Sequence, residues 1–152
     1  MLMVILGAGA SFDSVDTTLQ PHMAGESSIR PPLASQLFEA RPAFGKAIQD
    51  FPEILPVVSR LRRAVQQGQL LETELEKLRT EAGDSPQRNA QVLAVSCYLR
   101  QIIAETAYAW SRAAFGVTCF HELVDEIESW RLTQHEPVVY VSFNYDLSLI
   151  HI

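Results

Sequence analysis

The chain opens on five consecutive apolar residues, Leu2–Leu6, which run straight into Gly7-Ala8-Gly9-Ala10-Ser11. An unbroken apolar run of this length predicts a strand buried on both faces, as in a parallel sheet. A second run, Val138 to Val141 after Pro137, predicts another strand and stops at Ser142-Phe143-Asn144-Tyr145-Asp146. Between them the pattern turns helical. Leu33, Leu37 and Phe38 follow Pro31-Pro32 at helical spacing, and proline suits a first helical turn. Pro42 ends that helix or begins a new turn. Asp50 is placed to cap a helix from residue 51 or 52, or from Pro56, to about residue 67, with Gly68 as its stop. Leu71, Leu75 and Leu78 form an i, i+4, i+7 stripe over residues 70–82. After the turn Gly83-Asp84-Ser85-Pro86 comes the longest periodic stretch, residues 87–115. Its apolar face carries Val92, Val95, Leu99, Ile102, Ile103 and Trp110, and Gly116 breaks it. Residues 119–131 predict an amphipathic helix with Phe120, Leu123, Val124 and Ile127 inward. Residues 13–29, rich in Ser, Thr, Asp and Gly and containing Pro21, read as a loop of the kind that covers a ligand.

The order strand, helices, strand predicts the α/β class, with a helical insertion over about residues 33–132. Two strands alone do not make a stable sheet, and their edges need neighbours. The expectation is therefore an incomplete parallel sheet, with residues 1–152 the N-terminal part of a larger domain. The last six residues, LSLIHI at 147–152, resemble the ends of fragmentary reading frames that run into adapter sequence. No chemistry is placed on His151.

Composition narrows the classes. With 152 residues the chain can bury a real core. A net charge of -6 argues against a nucleic-acid surface, which needs clustered Lys and Arg. The basic cluster Arg60, Arg62 and Arg63 reads as the solvated face of a helix. Cys97 and Cys119 form no CxxC pair, which excludes a four-cysteine zinc site within the chain. They read as small buried apolar residues, and no metal is expected. The apolar N-terminus lacks a basic n-region, so it reads as a strand rather than a signal peptide. No apolar run has membrane-spanning length. A cytoplasmic protein is the default expectation.

A strand ending in GxG lets backbone N–H groups approach a diphosphate, because glycine has no Cβ in the way. A second parallel strand ending in Asn-Tyr-Asp would bring an amide and a carboxylate to the same sheet edge, where open α/β sheets bind ligands. Each motif alone has a plainer reading. Phe12 stands where GxGxxG needs its third glycine, so Gly7 to Ser11 also fit a tight turn that binds nothing. Asn144 and Asp146 fit a turn or a helix cap, and Tyr145 fits packing.

Taken together, VILGAGAS, PPLASQLF and VVYVSFNYD resemble the bacterial sirtuin-like (silent-information-regulator-like) domain. In that family a GAGAS turn follows the first strand, a proline-containing segment and helix come next, and a later strand ends in an Asn-Tyr-Asp type motif. Arg30-Pro31-Pro32-Leu33 stands where relatives have a Gly-x-Pro turn, and only Pro32 carries over. The resemblance implies a Rossmann-like, sirtuin-type fold and NAD as ligand or substrate. It places Gly7, Ala8, Gly9, Ala10 and Ser11 at the diphosphate and adjoining ribose, with Pro32 also in the binding set. Asn144 would orient the nicotinamide ribose or an attacking water, and Asp146 would lie near the carboxamide. It further implies cleavage of NAD at the nicotinamide–ribose bond, in a bacterial anti-phage defence protein with a fused or associated effector or sensor domain. Neither nucleic acid nor membrane is an expected partner, and a homo-oligomer is compatible.

The family's general-base histidine lies beyond the Asn-Tyr-Asp motif. His22, His121 and His135 precede it and match nothing, although His22 in the long loop is a distant catalytic candidate. Residues 1–152 alone are therefore expected to turn over NAD weakly or not at all. The alternatives are a non-catalytic module sensing NAD or ADP-ribose and an NAD-dependent protein deacylase, disfavoured because two lone cysteines cannot build that group's zinc module. A Rossmann oxidoreductase ranks last, since no acidic residue on a second strand follows the turn by about 20 positions.

Overall fold

The computed structural model describes residues 1–7, 11–12, 14–15, 18, 21–25, 27–115 and 117–142, Ser142 through its backbone alone. The protein is mixed α/β and mostly helical, with a two-stranded parallel sheet among the described residues. It divides into two compact units, residues 32–105 and residues 1–31 with 106–152.

The unit of residues 32–105 is helical. It holds α1 (Pro42–Asp50), α2 (Leu55–Gln66), α3 (Leu71–Ala82) and the first part of α4 (Pro86–Ala113). Prolines open three of these helices, where the missing N–H leaves no bond unmade. Gly68 (φ +76°) follows α2 and Gly83 (φ +49°) follows α3, both in conformations that a side chain would strain. Phe44, Ile54, Leu61, Val95, Tyr98 and Ile102 fill the centre. Tyr98 stacks on Phe38 with ring centroids 5.7 Å apart, meets Phe44 edge-on at 6.5 Å, and donates its hydroxyl to the Leu37 carbonyl at 2.8 Å. Burial pushes its phenol up to about 12.

Several expectations change here. Residues 33–40 form only a short 3₁₀ turn, Ala34–Gln36. Leu37 and Phe38 are both buried in the unit's core just after that turn. Asp50 caps nothing. It is the last residue of α1, and its carboxylate accepts a hydrogen bond from Gln101 Nε2 at 2.8 Å. A 3₁₀ turn, Pro52–Ile54, follows it before α2 begins. The basic cluster is more than a solvated face. Arg60 forks onto both Glu81 oxygens at 2.6 and 2.8 Å and reaches Glu74, while Arg62 Nε donates to the Phe38 carbonyl at 2.8 Å. The buried Glu74 carboxyl is held below the usual carboxylate range, chiefly by the Lys77 hydrogen bond and then by Arg60.

The other unit holds β1 (Leu2–Leu6), the end of α4, α5 (Cys119–Gln134) and β2 (Val138–Ser142). The strands pair in parallel, Leu2 against Val138 through to Leu6 against Ser142. The Leu2 N–H to Pro137 carbonyl bond, at 3.0 Å, extends the ladder, and the Met1 ammonium pairs with Glu136. The pairing is the predicted one, but the burial is not. Met3 is 52% exposed and Ile5 60%, because β1 and β2 form a sheet of two strands whose faces are not both covered. On α5, Phe120 and Ile127 are buried as expected, whereas Leu123 is exposed. Cys119 is also exposed and Cys97 only half-buried; both are free thiols, so neither is the buried apolar residue anticipated. Among the described residues no helix is long and apolar enough to cross a membrane.

Candidate functional site

The parallel register decides where the two end motifs leave the sheet. Leu6 and Ser142 are Cα partners, so the chain departs from β1 and from β2 at the same sheet edge, on neighbouring strands. Adjacent strands lie about 4.8 Å apart. Residues 8–10 and 143–152 lie outside the described residues, and with them Ala8, Gly9, Ala10, Asn144 and Asp146. Gly7 and Ser11, at either end of the turn, are described. Pro32 is half-buried and belongs to the other unit.

Gly7 itself is informative. A Cβ built there meets no atom of the described residues within 4 Å, and its backbone is not left-handed. Among the described residues neither packing space nor backbone geometry requires glycine at this position. Gly7→Ala is accordingly expected to leave stability unchanged or raise it by about 0.4–1 kcal/mol. Urea unfolding checks this, and a clear loss of stability would mean that the glycine serves the turn alone.

From Ser11 onward the chain is pinned by a buried polar sequence. Ser11 is 1% exposed. The Ser14 hydroxyl donates to the Ser11 carbonyl at 3.0 Å, and Trp110 Nε1 donates to Ser14 Oγ at 3.1 Å. The Ser14 carbonyl accepts the Cys119 N–H at 2.7 Å. Val15, Met23, Trp110 and Ala114 form the apolar cluster beside these bonds. The segment after the turn is thus tied to the end of α4 and the start of α5. Trp110, read from sequence as one of an apolar stripe, is also a donor that fixes this segment.

Arg30 completes the arrangement. Its guanidinium carbon lies 4.4 Å from the Phe12 ring centroid and 5.4 Å from that of Trp110. The sequence signal for it is simple but not periodic. Arg30 is the sole Lys or Arg among the first forty residues. Ahead of it lies a 3₁₀ turn, Pro21–Gly25, which buries Met23. His22 is exposed at that turn, with Nε2 3.1 Å from the Ala113 carbonyl and its ring 5.8 Å from Phe115. These contacts suit packing at the end of α4 better than catalysis. His121 lies on an exposed position of α5. No group of three or more His, Cys, Asp or Glu side chains among the described residues is placed to hold a metal ion.

Comparisons with models of protein families, with curated proteins and with solved structures gave no match to this chain. Its chemistry therefore has to be read from its own residues.

Proposed function

We propose that this chain is an NAD-binding, sirtuin-like domain of Rossmann-like type, whose site lies where Gly7 to Ser11 and Asn144 to Asp146 leave the sheet. The observation that carries the reading is the pairing of Leu6 with Ser142. It brings the glycine-containing turn and the Asn-Tyr-Asp motif off adjacent parallel strands at one edge, the place where such sheets bind ligands. That no described residue comes within 4 Å of a Cβ at Gly7 supports it further, since a diphosphate needs close approach to backbone N–H groups.

The chemistry that suits these residue types is cleavage of the nicotinamide–ribose bond. The leaving group is a neutral pyridine, and the transition state is oxocarbenium-like. The work is ribose positioning and placement of a water, for which an amide and a carboxylate serve better than a strong acid. Gly7 to Ser11 would hold the diphosphate. Asn144 would orient the ribose or the water, and Asp146 the carboxamide. The general base would be a histidine that residues 1–152 do not supply, His151 carrying no role, so turnover is expected of a protein that contains it and binding of residues 1–152. Such a domain would act in bacterial defence beside a fused or associated effector.

Isothermal titration of NAD and ADP-ribose into the chain tests the reading. Saturable binding of either, weakened in Gly7→Ala although that variant folds, is the expected result. Absence of binding to both would overturn it. A sensing module is the second reading, favoured if binding is tight and a protein including the downstream histidine releases no nicotinamide.

A further inference from the structure

The helical unit of residues 32–105 holds a cavity that shares no residue with the strand-end motifs. Its volume is about 230 Å³. A cavity of about 150 Å³ already admits benzene, so a small organic molecule has room here. Ser35, Phe38 and Glu39 line it from the segment around the 3₁₀ turn Ala34–Gln36, and Arg62, Val65 and Gln66 from the end of α2. Phe38 and Val65 are buried and supply apolar lining. The two charged residues are differently engaged. Glu39 Oε2 already accepts Arg41 Nε at 3.1 Å and Arg41 Nη2 at 3.0 Å. Arg62 Nε donates to the Phe38 carbonyl at 2.8 Å, and neither Arg62 Nη group has a partner among the described residues. That carbonyl bond fixes the guanidinium by one edge. It leaves the end-on pair of donors, which a carboxylate accepts bidentately. Gln66 follows Arg62 by four positions on the same face of α2, so its amide joins the guanidinium at the cavity.

We infer that this cavity binds a small organic monocarboxylate, with its anionic end on the Arg62 Nη groups and its apolar body against Phe38 and Val65. Charge and size select this class. Among the described residues Arg62 is the one cation lining the cavity, and Glu39 lies in the same lining. A dianion such as phosphate would keep uncompensated charge there, in a chain whose net charge is already -6. An acid without an apolar body would leave the lining of Phe38 and Val65 unused. The guanidinium is held before the ligand arrives, so little freedom is lost on binding. The assignment is independent of NAD binding, since neither its residues nor its ligand are those of the strand ends.

Benzoate is the probe. It is titrated into residues 1–152, with benzamide and inorganic phosphate in parallel, and the backbone amide shifts are followed by NMR. Wild type, Arg62→Gln and Gln66→Glu are compared, with thermal midpoints as the folding control. Saturable benzoate shifts centred on residues 35–40 and 62–66 are expected. Arg62→Gln should raise the benzoate Kd about tenfold or more, as loss of a charge-assisted bond does. Its benzamide Kd should stay within about twofold, because that ligand carries no charge. Gln66→Glu sets a carboxylate four residues after Arg62, where it occupies the guanidinium from within the helix. It should weaken benzoate by a similar factor while leaving the Arg62 bond to Phe38 intact, and so decides the matter even where Arg62→Gln fails to fold. Benzoate affinity unchanged in both variants would overturn the assignment. So would shifts centred elsewhere, phosphate bound as tightly as benzoate, an equal loss of benzamide, or no saturable benzoate binding by folded wild type.

Discussion

Tyr98→Ala is expected to destabilise the unit of residues 32–105 by about 3–5 kcal/mol, the usual range for truncating a buried aromatic ring. The side chain is fully buried, stacked on Phe38 and edge-on to Phe44, so little can move in to fill the space. Tyr98→Phe separates the ring from its hydroxyl. It should cost only about 1–3 kcal/mol, because the Leu37 carbonyl loses its donor while the packing remains. The same pair reads out the titration. Burial holds the folded phenol at about 12, whereas an exposed tyrosine titrates near 10. The folded state therefore favours the neutral form. That contribution is whole below about pH 10 and is lost as pH rises from about 10 toward 12, amounting to about 2–3 kcal/mol. Urea unfolding at pH 7 and pH 11 checks both points. The gap between wild type and Tyr98→Phe should narrow at the higher pH, and a constant gap would contradict a buried, neutral phenol.

Asn144→Ala is expected to lower nicotinamide release by about 10²–10³-fold in a protein that carries this chain and a general-base histidine outside residues 1–152, the range seen when one positioned polar group is removed from a transition state. The effect should fall on kcat more than on KM if the amide orients the ribose or the water, since those interactions strengthen as the bond breaks. Nicotinamide quantified by chromatography, with Gly7→Ala run beside it, provides the check. Gly7→Ala should instead raise KM, as it would crowd the diphosphate. Full activity in Asn144→Ala would remove the amide from the mechanism.

Much of the fold could be read from residue order. Leu71 and Leu78 announced α3 through spacing alone, and the apolar runs at 2–6 and 138–141 announced two parallel strands. The mistakes have physical causes. PPLASQLF carries helical spacing, yet only Ala34–Gln36 form a 3₁₀ turn, for which the Gln36 side chain accepts the Leu33 N–H. Asp50 looks like a cap wherever a proline follows, but α1 extends to it and Gln101 binds its carboxylate. Burial of Met3 and Ile5 depends on neighbours that their own sequence cannot describe. At the site, Gly7 and Ser11 announce themselves because few residue types allow a close backbone approach. The packing of Arg30 does not, because a cation near two rings leaves no period and no motif. It becomes visible only when Phe12 and Trp110, 98 positions apart in the chain, meet it in space.

The pairing of first and last strands also sets a schedule for the newborn chain. The contact between Met1 and Glu136 spans 135 positions. At about 5–20 residues per second of synthesis, β1 waits on the order of 7–27 s before its partner has been made. The helices of residues 32–105 rely on nearer contacts and are free to settle first. Throughout that interval an apolar strand stands with two unpaired edges, open to any other strand it meets. Charged substitutions at the outward positions Met3 and Ile5 thus offer a route to better recovery of the folded protein from dense expression.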